Sequence, residues 1–370
     1  MRSTLDELIT ELAELKTLVE SIDPVNVALG GHKDTVVQRY ITIRKRFDYA
    51  AFAVALYASF EKFVENIITE YVQLEARRVD YAMLPQKLTD KHLAESAELL
   101  CRRRLGEGRY IGMSELDVIK NLFDCLSGTR PYTLNAAAVI AHDVNLRASE
   151  VDTVFGVVGI DKICDRVCRA DAMITWYCAV QGLETPPQDG VKRTVIEERL
   201  KDIVERRNQV AHHGSNPLDL LGGAAMSDAV TFIESLATSI FGLVAGRYLQ
   251  AHHAASMSHI ELTLRAGDGP YKNRTIVVVD KPAHRLFVGQ PVFVIVESTG
   301  ARWGRIQSLR VDDADIQEME ANASAPNGVG IGLDFKYPNG TNVKLIALQT
   351  DDDMVWSPLE SGAYPAPPAA

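Results

Sequence analysis

An all-α domain followed by a small all-β barrel is the fold class that this chain predicts, and three observations carry the prediction. Apolar residues recur every three to four positions through the first 254 residues, the period of helices packed on one face. From His259 the texture changes to short β-branched runs split by Gly, Pro, Asn and Asp. The chain has 370 residues, 46% apolar and 24% charged, an ordinary globular composition with room for two or three domains. The expected organisation is an N-terminal heptad helix at 1–30, an all-α domain at 31–254, a barrel at 259–350 and a disordered Pro- and Ala-rich tail at 357–370.

The first helix is predicted from Thr4 to Ile22. Leu5, Leu12 and Val19 take one core position and Leu8, Leu15 and Ile22 the other. Thr4 with Glu7 has the form of a capping box, and Pro24 is expected to end the helix. Three heptads are marginal alone, so this helix packs either on its own domain or on a second copy. A long helix follows over Asp34–Val79, with Phe47, Phe52, Leu56, Phe60, Phe63, Ile67 and Tyr71 as its apolar face. Further helices are predicted at Asp90–Leu105, Ser114–Cys125, Asn135–Asn145, Asp161–Gln181, Lys192–His213 and Ser227–Ala254, separated by Gly- and Pro-bearing connectors. Six strands are predicted beyond them: Ile260–Leu264, Thr275–Val279, Pro291–Val296, Arg305–Val311, Gly328–Leu333 and Asn342–Leu348. Six short strands in about ninety residues read as an antiparallel barrel or sandwich.

Several function classes are excluded at this level. The net charge is −10, with acidic excess on both sides of Ala254, so any nucleic-acid chemistry rests on local patches. No run approaches the roughly 20 apolar residues of a membrane helix, and the N-terminus lacks an apolar leader core, so a cytoplasmic protein with no membrane partner is expected. Five cysteines (Cys101, Cys125, Cys164, Cys168, Cys178) at helix-like spacings read as buried thiols. There is no phosphate-binding loop, no dinucleotide glycine pattern and no nucleophile-elbow motif. No cofactor is expected. His252, His253 and His259 have no carboxylate or thiol at ligand spacing, so no metal site is expected either.

The best candidate for chemistry is the string Glu205-Arg-Arg-Asn-Gln-Val-Ala-His-His-Gly214, at the C-terminal end of the Lys192–His213 helix. It brings a fixed cation, a carboxamide and imidazoles to one helix end. Asn208 and His212 are i, i+4 and share a face, so the carboxamide can orient the imidazole. Arg207 lies about 140° from His212 around the axis, so the two converge best on a ligand held against the helix end or on a site shared between two copies. The competing reading is a solvated helix end whose cations suit the negative pole of the helix dipole. In a chain with nine histidines the bare Arg-x4-His spacing carries little information.

The extended string carries more. Arg207-Asn208-x-Val-Ala-His212, ending a late helix of an all-α domain and followed by His213-Gly214, resembles the signature of the HEPN superfamily. The stretch Tyr49-Ala-Ala-Phe-Ala-Val-Ala-Leu-Tyr-Ala-Ser-Phe-Glu61 is similar to the early helix of the RiboL-PSP-type HEPN group. Some HEPN groups carry a Tyr two residues after the His, where this chain has Gly214. The resemblance implies a metal-independent endoribonuclease acting on RNA as a homodimer, with Arg207, Asn208 and His212 in the site. It implies toxin or phage-defence roles, in company with an antitoxin or trigger protein. A non-enzymatic HEPN-like scaffold binding RNA or protein is the alternative.

Secondary candidates complete the reading. Glu61 is a possible acidic accessory, against a solvated helix face, and His213 a spare imidazole. Arg102, Arg103 and Arg104, with Arg109, form the strongest basic cluster and, together with Arg206, are possible RNA contacts. Arg44, Lys45 and Arg46 make a smaller cluster. Both clusters also read as solvated helix ends. Cys164 and Cys168 are expected in the core. In the β region, Leu286-Phe-Val-Gly-Gln-Pro-Val-Phe-Val-Ile, Gly304-Arg-Ile-Gln-Ser-Leu and Gly328-Val-Gly-Ile-Gly-Leu resemble the second-domain barrel of translation elongation factors. That likeness implies a recognition or autoinhibition module, with Trp303 and Arg305 as exposed contacts, or with one of the two packing the barrel.

Overall fold

A computed structural model describes residues 1–102, 105–107, 110–142, 144–213, 220–255, 260–280, 282–296, 300–338 and 343–357. Arg103, Arg104, Arg109, Gly214, His259 and the tail from 358 lie outside the described residues, as do the side chains of Arg102 and His213. The chain divides into two compact units, one from Ser3 to Phe241 and the other beginning at Gly242.

The first unit is helical. Its described helices are α1 (Arg2–Gly30), α2 (Thr35–Arg78), α3 (Gln86–Arg102), α4 (Glu115–Ser127), α5 (Ala136–Val139), α6 (Ala148–Val157), α7 (Ile163–Val167), α8 (Asp171–Gln181), α9 (Arg193–His213) and α10 (Gly223–Leu249). The heptad stripe of α1 (Leu5, Leu8, Leu12, Leu15 and Val19) is buried within its own chain. Polar contacts to α2 flank that stripe. Thr4 Oγ1 donates to Glu70 Oε1 (2.8 Å), and Lys62 bridges to Glu7 and Glu11. The capping box expected at Thr4 does not form, because the helix already starts at Arg2 and Thr4 is turned to Glu70. Pro24 does not end α1 either. It sits inside the helix, and Glu20, whose carbonyl loses its partner, is exposed, so water can take that bond.

Helix α2 follows the sequence closely. Asp34 caps it by accepting from the Val36 N–H at 2.7 Å, and its apolar face is buried from Phe52 to Tyr71. Phe47 departs from the expectation and is 58% exposed. Two predicted helices are broken. Among the described residues of 135–145 only Ala136–Val139 is helical, because side chains elsewhere capture the segment that follows. Lys91 Nζ donates to the Ala141 carbonyl (2.6 Å), and the Leu146 N–H donates to Tyr57 Oη (3.0 Å). The predicted Asp161–Gln181 helix divides into α7 and α8, where the Cys168 carbonyl accepts from the Val191 N–H at 2.8 Å instead of continuing a helix. Gly190, at φ +79°, permits this approach; a Cβ there would stand 2.4 Å from the Cys168 oxygen. Cys125, Cys164 and Cys168 are buried, whereas Cys101 is exposed, against the expectation of a buried thiol.

The second unit holds β1 (Ile260–Leu262), β2 (Ile276–Val279), β3 (Leu286–Phe287), β4 (Pro291–Val296), β5 (Gly300–Val311), β6 (Ala314–Ile316), β7 (Glu318–Met319), β8 (Val329–Leu333) and β9 (Leu345–Ala347). Each of the six predicted runs falls on one of these strands. The antiparallel sheet runs β1-β9-β4-β5-β8-β2, with β6 on β5, while β3 pairs with β7 separately. β5 is the hinge of the curl. Its first half pairs with β4 and its second with β8, with a register shift between Ile306 and Ser308. The last turns of α10, from Gly242 to Leu249, belong to this unit and lie on β5: a Cβ at Gly246 would stand 2.8 Å from the Ala301 nitrogen.

The division between the units therefore falls inside α10, before the change of sequence texture. The expectation of no membrane-length apolar stretch also needs correction. Gly223–Ala254 is long and apolar enough to cross a membrane, with a window of mean hydropathy 1.6, but 72% of that window is buried in the fold, as in a core helix.

Candidate active site

The site is built on the second half of α9, and three charged anchors fix where that helix lies. At its start, Arg193 bonds Asp152, Asp165 and Glu197, each at 2.7 Å. At mid-length, Arg199 pairs with Asp228 (2.7 Å), which also accepts from Trp176 Nε1. Near its end, Arg206 donates to Asp202 (2.8 Å) and to Tyr49 Oη (3.1 Å). Val204 and Val210 are buried on the same helix, which packs against α2.

This placement sets Arg207 at the wall of an open cavity of about 660 Å³, lined also by Glu61, His142, Val144, Asn145, Arg147, Ser149 and Glu150. The Arg207 guanidinium stands over the Tyr57 ring at 5.3 Å, and its Nη1 donates to Asn208 Oδ1 at 3.1 Å. The same Asn208 oxygen accepts from Asn145 Nδ2 at 3.3 Å. Tyr57 donates its hydroxyl proton to Glu61 Oε1 (2.9 Å). Burial and the Glu61 carboxylate keep that phenol protonated, with its pKa raised well above 10.0. The result is a cation and a carboxylate on one cavity wall, each oriented by the same tyrosine.

A second group sits beside them. His142 Nε2 lies 3.2 Å from Glu65 Oε1, and its Nδ1 lies 2.9 Å from the Val144 carbonyl oxygen. The bond to Glu65 raises the His142 pKa above 6.5, with burial opposing it. Arg147 reaches Glu205 of α9 at 3.9 Å across the rim.

A family model of RiboL-PSP-HEPN domains matches residues 4–245. The chain belongs to this HEPN family. No curated protein matches the chain.

Within this HEPN domain the predicted residues are unequally placed. Arg207, Asn208 and Glu61 come together around Tyr57. His212 is exposed, does not line the cavity and has no hydrogen-bond partner among the described residues. The Asn208 carboxamide, expected to orient His212, has its oxygen engaged by Arg207 and Asn145. Arg206, expected among the RNA contacts, is turned inward onto Asp202 and Tyr49. In the β unit, Arg305 is not an exposed contact: it is 8% exposed and bonds Asp351 through both terminal nitrogens. Trp303 lies against Gly242. Among the described residues no group of His, Cys, Asp and Glu is arranged to hold a metal ion.

Tyr57, His142, Asn145 and Arg147 escaped the sequence reading. Tyr57, Glu61 and Glu65 repeat every fourth residue along α2, a polar line beside an aromatic face, and that line was the available signal. His142 had none, since a loop residue shows no periodicity.

Proposed function

We propose that the HEPN domain is a metal-independent endoribonuclease whose site pairs Arg207 with His212 across a homodimer. The observation that carries this reading is the pose of Arg207: a guanidinium held over Tyr57 and against Asn208, facing a cavity large enough for a nucleotide. Cleavage of RNA by its own 2′-hydroxyl needs three things. A base takes the 2′ proton, a cation balances charge on the phosphate oxygens, and an acid protonates the departing 5′ oxygen. Arginine is permanently charged and its fork matches phosphate oxygens. Histidine titrates near neutrality and moves both protons. Glu61, on the same wall, is a second acceptor for the 2′ proton. Arg207 faces the cavity and His212 faces solvent, so one copy alone does not bring them together; a two-fold axis through the α9 ends supplies each Arg207 with the second copy's His212. A toxin or phage-defence role, held by an antitoxin or trigger protein, accords with the family.

The test is cleavage of a labelled RNA by the full-length protein, with and without chelator, beside its sedimentation behaviour. Arg207→Ala and His212→Ala each abolish cleavage and leave the circular dichroism unchanged; an equimolar mixture of the two variants recovers activity, because one composite site is whole. Activity in the His212→Ala protein, or loss of wild-type activity with chelator, defeats the reading. One observation favours a non-catalytic scaffold: α4 exposes Leu116, Ile119, Phe123 and Leu126, each more than half, as an uncovered apolar stripe. Full-length protein that binds RNA without cutting it decides for that alternative.

A further inference from the structure

We propose that His142 is the positioning residue for Arg207, and that it acts in its doubly protonated form. This rests on the ribonuclease reading above only for its consequence on the rate; the coupling of the two side chains is a property of the fold.

The argument begins with donors and acceptors. One ring nitrogen of His142 faces the Val144 carbonyl and the other the Glu65 carboxylate. Both partners are acceptors, so both contacts are hydrogen bonds only when both nitrogens carry protons. A neutral ring that keeps its proton on Nδ1 turns a lone pair toward Glu65. His92 is the internal contrast. Its Nε2 accepts the Asn135 N–H at 2.9 Å, its Nδ1 donates to Tyr81 Oη at 3.1 Å, and burial lowers its pKa to about 4. That ring is satisfied as the neutral species.

His142 belongs to the segment that supports Arg207. Arg207 rests on two groups, the Asn208 oxygen and the Tyr57 ring. Each is bonded by the chain just after His142: Asn145 donates to Asn208, and the Leu146 N–H donates to Tyr57 Oη. The segment is tied at its start by Lys91 of α3 through the Ala141 carbonyl, and to α2 by His142 through Glu65. Removing the proton from His142 removes the tie to Glu65, leaves the Leu146–Tyr57 bond as the segment's hold on α2, and loosens both supports.

The charged groups around the ring set the direction of the pH response. Glu65 and Glu61 of α2 both favour the imidazolium, while burial opposes it. Lys91 stands on the neighbouring carbonyl, and Arg207, Arg147 and Glu150 share the cavity. The pKa in the fold is raised above 6.5. The tie is therefore complete below that value and is lost as pH rises through the raised pKa.

The experiment follows the ring and the guanidinium together. In full-length protein, the ring signals of His142 and the Nε–H signal of Arg207 are recorded by NMR from about pH 5.5 to 9.5, with His92 as the ring that does not titrate. RNA cleavage is measured over the same range. His142 titrates above 6.5, the Arg207 signal moves with the same midpoint, and the cleavage rate falls with it. His142→Gln lowers kcat about tenfold or more at low pH and changes KM less than about threefold, because Arg207 is displaced and substrate contact is otherwise kept. Glu65→Gln separates positioning from packing. A carboxamide can donate to the neutral ring, so the Arg207 midpoint disappears and the alkaline fall in rate flattens. An Arg207 signal unmoved through the His142 titration overturns the proposal, as does an alkaline fall unchanged in Glu65→Gln. Wild-type protein that cuts no RNA while Arg207 still follows His142 upholds the coupling and rejects the ribonuclease reading.

Discussion

Arg207 in the helical unit and Arg305 in the β unit are both guanidiniums held beside polar neighbours, and the difference between them separates a group free to act from a group that is structure. Arg305 is 8% exposed and has spent its four Nη donors: it bonds the Asp351 carboxylate at 2.7 and 3.0 Å, the Gly289 carbonyl at 3.0 Å and the Ser357 carbonyl at 2.9 Å. Those bonds tie β5 to the chain that follows the sheet. Among the described residues Arg207 makes one side-chain hydrogen bond, to the adjacent Asn208, and leaves part of its fork facing a cavity. An arginine with its terminal donors all paired has no fork left for a phosphate. One with a fixed orientation and open donors is suited to it.

The comparison breaks most visibly on exchange of the two losses. Arg207→Ala is expected to lower RNA cleavage by about 10²-fold or more, with unfolding shifted little, because Tyr57 and Asn208 keep their other partners. Arg305→Ala is expected to cost the β unit about 3 kcal/mol, since it leaves Asp351 and two carbonyls without their donor. Urea unfolding followed by amide exchange in β4, β5 and β8 reads the second effect, and an RNA cleavage assay reads the first. A cleavage loss in Arg305→Ala as large as that in Arg207→Ala, in protein that is still folded, removes the distinction.

Lysine at the same position sharpens it. Arg207→Lys keeps the charge and the stem over Tyr57, and loses the planar fork. Cleavage is expected to fall about tenfold, between wild type and alanine. Equal rates for lysine and arginine show that charge alone is required and that the bond to Asn208 is incidental.

Much of this was legible in the sequence. The aromatic line of α2 and the six β-branched runs gave their elements because burial selects residues at the helical or strand period. The resemblance of the α9 string to the HEPN signature, and no periodicity, pointed to Arg207 and Asn208, which stand together beside Tyr57. What was not legible is tertiary. The break after Val139 depends on Lys91 and Tyr57 capturing backbone groups of the segment that follows. The inward turn of Arg206 depends on Tyr49, 157 residues away. His253 looked like a helix end lacking any carboxylate; the carboxylate arrives from Asp352, 99 residues on. Local spacing carries no information about such partners.

That last pair gives the smallest effect and a check on the β unit alone. Asp352 Oδ2 accepts from Tyr248 Oη at 2.7 Å and lies 2.6 Å from His253 Nε2. Burial works against the carboxylate, but the bonds from His253, Tyr248 and the Met354 N–H outweigh it and hold the pKa below 3.8. A carboxyl whose pKa is lowered on folding stabilises above its unfolded value and loses that contribution as pH falls through the folded one. Asp352→Asn is therefore expected to destabilise the β unit by about 1 kcal/mol at neutral pH. The variant and the wild type converge as acid protonates Asp352 in the wild type. Unfolding midpoints compared at neutral pH and in acid test this, and a deficit that persists unchanged into acid shows that shape, not charge, is what Asp352 contributes. RNA cleavage at neutral pH is expected to be the same in both proteins, which places Asp352 with Arg305 among the groups that hold the fold and apart from Arg207.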